Sequence, residues 1–246
     1  DLADGQAEVT ALIDLPLIRP MAPSDLRFAV TARLRDVQST QIMPGRTLRA
    51  AALDLRADTT SLSIGGKGLL GDVPFDATWS TTLKDNTRGE SQVRGTVTLS
   101  QAFADEFRLD LPPGTFSGAA QGQIALDLSR DGTPRFNLTS DLAGLGLSVP
   151  PLGWSLPRAS RGKLEVRGSL GTPVAVDRIA LEAPGMNLTG AIELTPEGQL
   201  GTARLDRVRA GDWLDAPVTL TGRGAGRVPA IAVTGGTADM RRSTLG

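Results

Sequence analysis

An all-β fold, built from many antiparallel strands with one short helix, is predicted by two features of this sequence. The first is alternation. In VPFDATWSTTL, Phe75, Ala77, Trp79, Thr81 and Leu83 face one way, while Pro74, Asp76, Thr78, Ser80 and Thr82 face the other. Successive side chains of a strand point to opposite faces, so such a run is a strand with one apolar and one wet side. The second is turn chemistry between the runs: Pro44-Gly45, Gly71-Asp72, Asp85-Asn86, Asp131-Gly132, Pro184-Gly185, Pro196-Glu197-Gly198 and Gly211-Asp212. Short links between half-apolar strands favour antiparallel neighbours and hence a meander.

Read in order, the chain offers about fourteen strands, at 7–15, 26–37, 48–57, 61–70, 73–83, 91–99, 115–129, 135–142, 161–170, 174–182, 186–195, 199–208, 217–224 and 231–235. The second sets Leu26, Phe28, Val30, Ala32 and Leu34 against Arg27, Thr31, Arg33 and Arg35. The seventh sets Phe116, Ile124, Leu126 and Leu128 against Ser117, Gln121, Gln123, Asp127 and Ser129. Between strands, SQAFADEF (100–107) predicts a short helix with Ser100 as N-cap and Phe103 and Phe107 stacked four apart. PPLGWSLP (150–157) cannot be an interior strand, since proline removes ladder donors, and is expected to be a loop or flap laying Trp154 over an edge. The chain is read as one continuous segment, 1–246, with its softest sub-boundary in the charged turn near 84–92. RFNLT (135–139) and GMNLT (185–189) form a faint internal echo, equally consistent with chance likeness between hairpins and with a repeat.

Composition removes whole classes of function. With no His and no Cys among 246 residues, there is no Ser-His-Asp triad, no Cys nucleophile, no Cys/His zinc site and no disulfide. The net charge of −1 is spread evenly and leaves no footprint for nucleic acid. No run approaches the length of a membrane-spanning helix, and nothing resembles a signal peptide. The chain opens on Asp1 rather than Met, and it is read as a segment of something longer. Gly and Pro number 29 and 16, but they fall at turns or alternate strand positions, which argues against disorder.

The local motifs that imitate chemistry have plainer readings. Gly65-Gly66-Lys67-Gly68 lacks the spacing and following helix of a phosphate loop, and reads as a glycine-softened strand or bulge. Asp58-Thr59-Thr60 lacks the glycine and the partner copy of an aspartic-protease signature, and reads as a turn. The sequons at Asn137 and Asn187 sit inside predicted strands. Asp and Glu fall mostly on polar strand faces among Arg and Thr, as a solvated charge-mixed surface would have them. No catalytic residue, metal ligand or cofactor site is expected, and the chain is not expected to be an enzyme.

The candidate site is therefore the apolar face itself. It comprises Leu26, Phe28, Val30, Leu34, Val73, Phe75, Trp79, Leu83, Phe116, Ile124, Leu126, Phe136, Leu164, Val166, Met186, Leu188, Ile192, Leu194, Val218 and Leu220. Two architectures can cover it. One is a closed β-sandwich whose sheets cover each other, suited to a structural or adhesive module that binds protein or glycan; a β-solenoid would serve the same role. The other is a long curled sheet whose apolar trough is open to a ligand. Six Phe, three Trp and no Tyr are few aromatics for a closed core of this size. An empty trough costs about 25 cal/mol per Å² of wet apolar surface, and its natural occupant is a lipid chain, which gains roughly 0.8 kcal/mol per buried CH₂.

TSDLAGLGLSVPPLG (139–153), a basic-polar stretch and then GKLEV (162–166) resemble the "S-D-L-x-G-l-x-l-x-x-P-x-P-l-x-K" block of the AsmA-like family, specifically its YhdP-type branch. MNLTGAIELTPEGQLGTARL (186–205) resembles the hairpin unit that follows it, and GGTADMR (235–241) the family's "G-G-x-x-D-x-R". Ala50–Leu83 resembles the family's "l-x-i-x-G-x-g-x-l-x-G-x-P" strand pair. The likeness covers most of the chain through loose, strand-like motifs. The family's lysine after the proline block is absent, with Gly153-Trp154-Ser155 in its place. The resemblance implies an elongated, curled antiparallel sheet forming an open apolar groove of about 65 Å at the usual strand spacing. It also implies a periplasmic bridge-type lipid transfer protein, held in the inner membrane by an N-terminal helix outside this segment. Phospholipid acyl chains would be its partners, with outer-membrane components at the far end, and lipid would slide passively between the two membranes.

Overall fold

The computed structural model of the chain describes residues 2–15, 26–43, 45–83, 90–109, 111, 114–129, 132–224 and 227–239. Its elements are β1 (Asp4–Asp14), β2 (Arg27–Met43), β3 (Arg46–Asp58), β4 (Ser61–Leu70), β5 (Val73–Thr82), β6 (Ser91–Leu99), α1 (Gln101–Glu106), β7 (Phe116–Gly118), β8 (Ala120–Leu128), β9 (Arg135–Ser140), β10 (Leu145–Val149), β11 (Trp154–Leu156), β12 (Lys163–Ser169), β13 (Ala175–Ala183), β14 (Met186–Leu194), β15 (Leu200–Ala210), β16 (Leu214–Thr221), β17 (Ala230–Val233) and β18 (Thr237–Ala238). Among the described residues the fold is all-β apart from α1 and a 3₁₀ turn at Pro150–Leu152. The large sheet has the order β1-β2-β3-β4-β5-β6-β8-β9-β12-β13-β14-β15-β16-β17, with β18 also on β16, and its two ends do not meet. A second sheet has the order β11-β10-β7. The expected antiparallel meander is present, and the sheet is not closed.

The chain divides into two compact units, residues 1–97 with 125–132, and residues 98–124 with 133–246. The charged turn at 84–89 lies outside the described residues.

In the first unit, β1 to β6 pair in chain order, each antiparallel to the next. Directly opposed residues share a face, so register lines up Val9, Ala32, Leu55, Ile64, Trp79 and Val93 across six strands. A second row runs Ala11, Val30, Ala57, Leu62 and Thr81. The opposite face carries Glu8, Arg33 and Asp54 in one row and Lys67 opposite Asp76 in another. Every described strand of this unit belongs to the large sheet, so among the described residues the unit contributes no second layer over its apolar rows.

The second unit carries both sheets. Its large-sheet strands align Leu138, Val166, Ile179, Gly190, Leu205, Val218 and Val233 in one row. Phe136, Gly168, Val176, Ile192, Ala203, Leu220 and Ile231 form the next. Its largest fully buried side chains, Leu142, Leu145 and Leu156, belong to the small sheet and its approaches.

Three sequence expectations are corrected here. The strand expected at 115–129 is broken at Gly118–Ala119: β7 joins the small sheet through Leu147 opposite Phe116, and β8 joins the large one. Gly118 has φ 73°, in the left-handed region, and this turns the chain from one sheet to the other. The stretch 150–157 is not a loop throughout. The two prolines form the 3₁₀ turn, and Trp154–Leu156 then forms β11, an edge strand antiparallel to β10, which was itself not foreseen. The strand expected to begin at 217 begins at Leu214, with Pro217 inside it. The missing N–H of Pro217 is tolerated because both neighbours are interrupted beside it: β15 is bulged between Leu205 and Val208, and the other side changes from β17 to β18.

The helix is present from Gln101, with Ser100 as its N-cap residue, as expected. Ser100 is extended, as an N-cap residue should be, but its side chain makes no capping hydrogen bond. Phe103 and Phe107 meet with ring centroids 4.7 Å apart.

Candidate functional site

The apolar rows are the candidate site, and register decides which expected residues take part. In the first unit, Phe28, Val30, Leu34, Phe75 and Trp79 lie on one face and are half-buried, while Val73 on the same face is 1 % exposed. Leu26 precedes β2 and is exposed, and Leu83 follows β5, its N–H donating to the Thr60 carbonyl at 2.8 Å. Leu126 falls on the apolar side of β8, because its neighbour Asp127 pairs with Arg94 of the polar face at 2.7 Å. The edge strand β1 continues the rows with Val9 and Ile13, exposed at 58 % and 62 %.

In the second unit, Phe136, Leu164, Val166, Met186, Leu188, Ile192, Leu194, Val218 and Leu220 share one face of the sheet. Ile124 takes the same side of β8 as Gly122, which lies against Leu138 of that face. Phe116 does not join them. It sits on β7 in the small sheet, because the break at Gly118 takes it out of the alternation it shares with Ile124 in the sequence. Met186 and Val218 are buried, whereas Ile192, Leu194 and Leu220 are half-buried.

Sequence reasoning left out Leu55, Ile64, Val93, Val176, Ile179 and Leu205, all of which register places in these rows. Each lies in a strand that was foreseen, but Val176 and Ile179, three apart, share a face only because β13 is bulged between them. What was missing was the pairing that brings each beside residues already chosen.

The polar faces are screened by exposed pairs. Arg135 bonds Asp177 at 2.9 Å, Arg204 bonds Glu193 at 3.0 Å, and Arg207 grips both oxygens of Asp215 at 2.8 and 2.6 Å. Exposed pairs of this kind contribute little to stability. The hydrogen bonds and charge of Arg207 hold the Asp215 carboxyl below the usual carboxylate range and raise the Arg207 guanidinium. Asp58 is likewise lowered, by hydrogen bonds from Thr60 and then Ser61; the Asp58-Thr59-Thr60 segment is a turn, as expected. Gly65–Gly68 lies within β4, as a glycine-softened strand. Among the described residues, no group of three or more metal-ligating side chains gathers, and no helix is long and apolar enough to cross a membrane.

A dent of about 350 Å³ lies at the β13–β14 turn, lined by Glu182, Asn187, Arg209 and their neighbours. It sits where the strands turn, and Met186 of the apolar face is among its lining residues.

No protein-family model matches the chain, and no curated protein or solved structure is significantly similar to it.

Proposed function

We propose that this chain is a non-enzymatic, lipid-conducting β segment of a periplasmic bridge-type transfer protein. Its apolar rows would form a floor for phospholipid acyl chains passing between inner and outer membranes. The observation that carries this reading is the first unit: a sheet with a continuous apolar face, half-buried aromatic and aliphatic side chains and, among the described residues, no second protein layer of its own. Leaving such a face in water is unfavourable, and large apolar patches usually mark binding surfaces. The floor is aliphatic with few polar interruptions, which suits hydrocarbon sliding without a deep pocket to trap it. The likeness of the 139–166 and 186–205 stretches to the AsmA-like family points the same way. Photo-crosslinkers placed at Phe75, Ile124 and Ile192 should capture lipid in cells, and those at Thr78 and Gln123 should not. Equal capture on both faces, or none on the apolar one, rejects the reading.

One observation favours a second reading. In the second unit the small sheet accompanies a set of side chains buried as in an ordinary core, with Leu142 and Leu156 each 1 % exposed. A structural module that binds protein or glycan through its loops would need such a core and no lipid. Purified protein that carries no co-extracted lipid by mass spectrometry would favour this alternative.

A further inference from the structure

The strands of the second unit have two unlike ends. At one, the turns 183–186 and 210–214 set Met186, Ala210 and Leu214 beside each other, with Val208 and Ala216 one step inward, and none is more than 6 % exposed. The small sheet is tied to these same turns by both tryptophans of the unit. Trp154 Nε1 donates to the Pro184 carbonyl at 2.8 Å, and Trp213 Nε1 donates to the Leu152 carbonyl at 3.3 Å. This end is sealed.

At the other end, Ile192, Leu194 and Leu220 are half-buried, and Ile231 is 56 % exposed. The connection from β16 to β17 at this end carries Arg223 and Arg227, and among the described residues no carboxylate pairs with either. Arg135 and Arg204, by contrast, are already paired with Asp177 and Glu193. From Leu188 to Leu194, β14 runs about 20 Å at the usual rise of a strand. One leaflet supplies about 15 Å of hydrocarbon, half the thickness of the bilayer core.

We propose that the small sheet is a stop that orients the lipid in this unit. The acyl chain lies along the open rows with its terminal methyl toward the sealed end. The phosphate lies at the opposite strand ends, where Arg223 and Arg227 complement its charge. The inference rests on the lipid-conducting reading and adds a direction to it.

The native tryptophans serve as the reporters of the test. In a Trp79→Phe variant, all indole emission comes from Trp154 and Trp213 at the sealed end. Phosphatidylglycerol brominated near the terminal methyl should quench this emission more strongly than the same lipid brominated near the carbonyl. The reverse order, equal quenching or no quenching overturns the stop. A companion Trp154→Phe, Trp213→Phe variant leaves Trp79 as the reporter for the first unit. Quenching of Trp79 when the sealed-end pair fails the test leaves the lipid reading standing and removes only the orientation; silence from all three tryptophans removes both. An Arg223→Ala, Arg227→Ala variant should bind phosphatidylglycerol vesicles more weakly, and unchanged binding overturns the placement of the phosphate.

Discussion

Phe75 and Phe136 each lie over a glycine on the neighbouring strand, Gly68 and Gly168, so closely that a Cβ on either glycine would press into the ring. The ring shields a backbone that glycine leaves bare, and glycine gives the ring a flat seat. At Gly168 an added methyl would also meet the Ala175 carbonyl, which belongs to the backbone and cannot rotate away. Gly168→Ala should therefore destabilise by about 1–3 kcal/mol, read as a lower urea midpoint at unchanged m-value. A second residue-scale expectation concerns Asp58, whose carboxyl is held low by donors from Thr60 and Ser61. A depressed folded-state value means that this turn stabilises the fold above the unfolded carboxyl range and loses that effect as pH falls through the folded value. The stability gap between the protein and Asp58→Asn should accordingly be present near neutrality and close below about pH 4, measured by urea unfolding across that window. The identity of the turn at Asp58 was legible from its residues. The seats at Gly68 and Gly168 were not, because each joins strands whose register the alternation leaves open.

At the scale of elements, Gly118 decides which sheet the chain joins. Its left-handed φ of 73° and its closeness to the Gly144 carbonyl leave no room for a side chain. Gly118→Val should loosen β7 from β10, shift the emission of Trp154 and Trp213 to longer wavelength and leave Trp79 unmoved. Unshifted emission from the first two would show that the switch does not depend on this glycine. The long alternating strands were legible because a one-residue slip would reverse every face, which makes their pattern loud. The seventh expected strand failed for the same reason it was convincing: Phe116 and Ile124 keep the right parity across a break that parity cannot register. β10 and β11 were missed because LGLSV and WSL are three to five residues flanked by glycine and proline, too short to establish a period. Pro217 sits inside β16 only because both its neighbours are interrupted beside it.

At the scale of the whole molecule, the competition between a closed core and an open surface was undecidable from alternation, since both present the same faces. It becomes a measurable difference between the two units. In a closed core, truncating a tryptophan costs about 3–5 kcal/mol and a leucine about 2–5. Leu145 at 2 % exposed should behave so, and Leu145→Ala should lie in that range. Trp79 is half-buried in a unit whose described strands form a single layer. The area its ring removes from water is correspondingly smaller, so Trp79→Ala should cost only about 1–2 kcal/mol in lipid-free protein. The same substitution should cost more when lipid is bound, because a ligand that binds only the folded state adds its own stabilisation, and a poorer floor binds it less. Urea unfolding of both variants, with and without phospholipid, separates the two architectures. A Trp79→Ala loss as large as a core truncation and indifferent to lipid would mean that the row beginning at Val9 is covered by protein, and that the first unit is not a lipid floor.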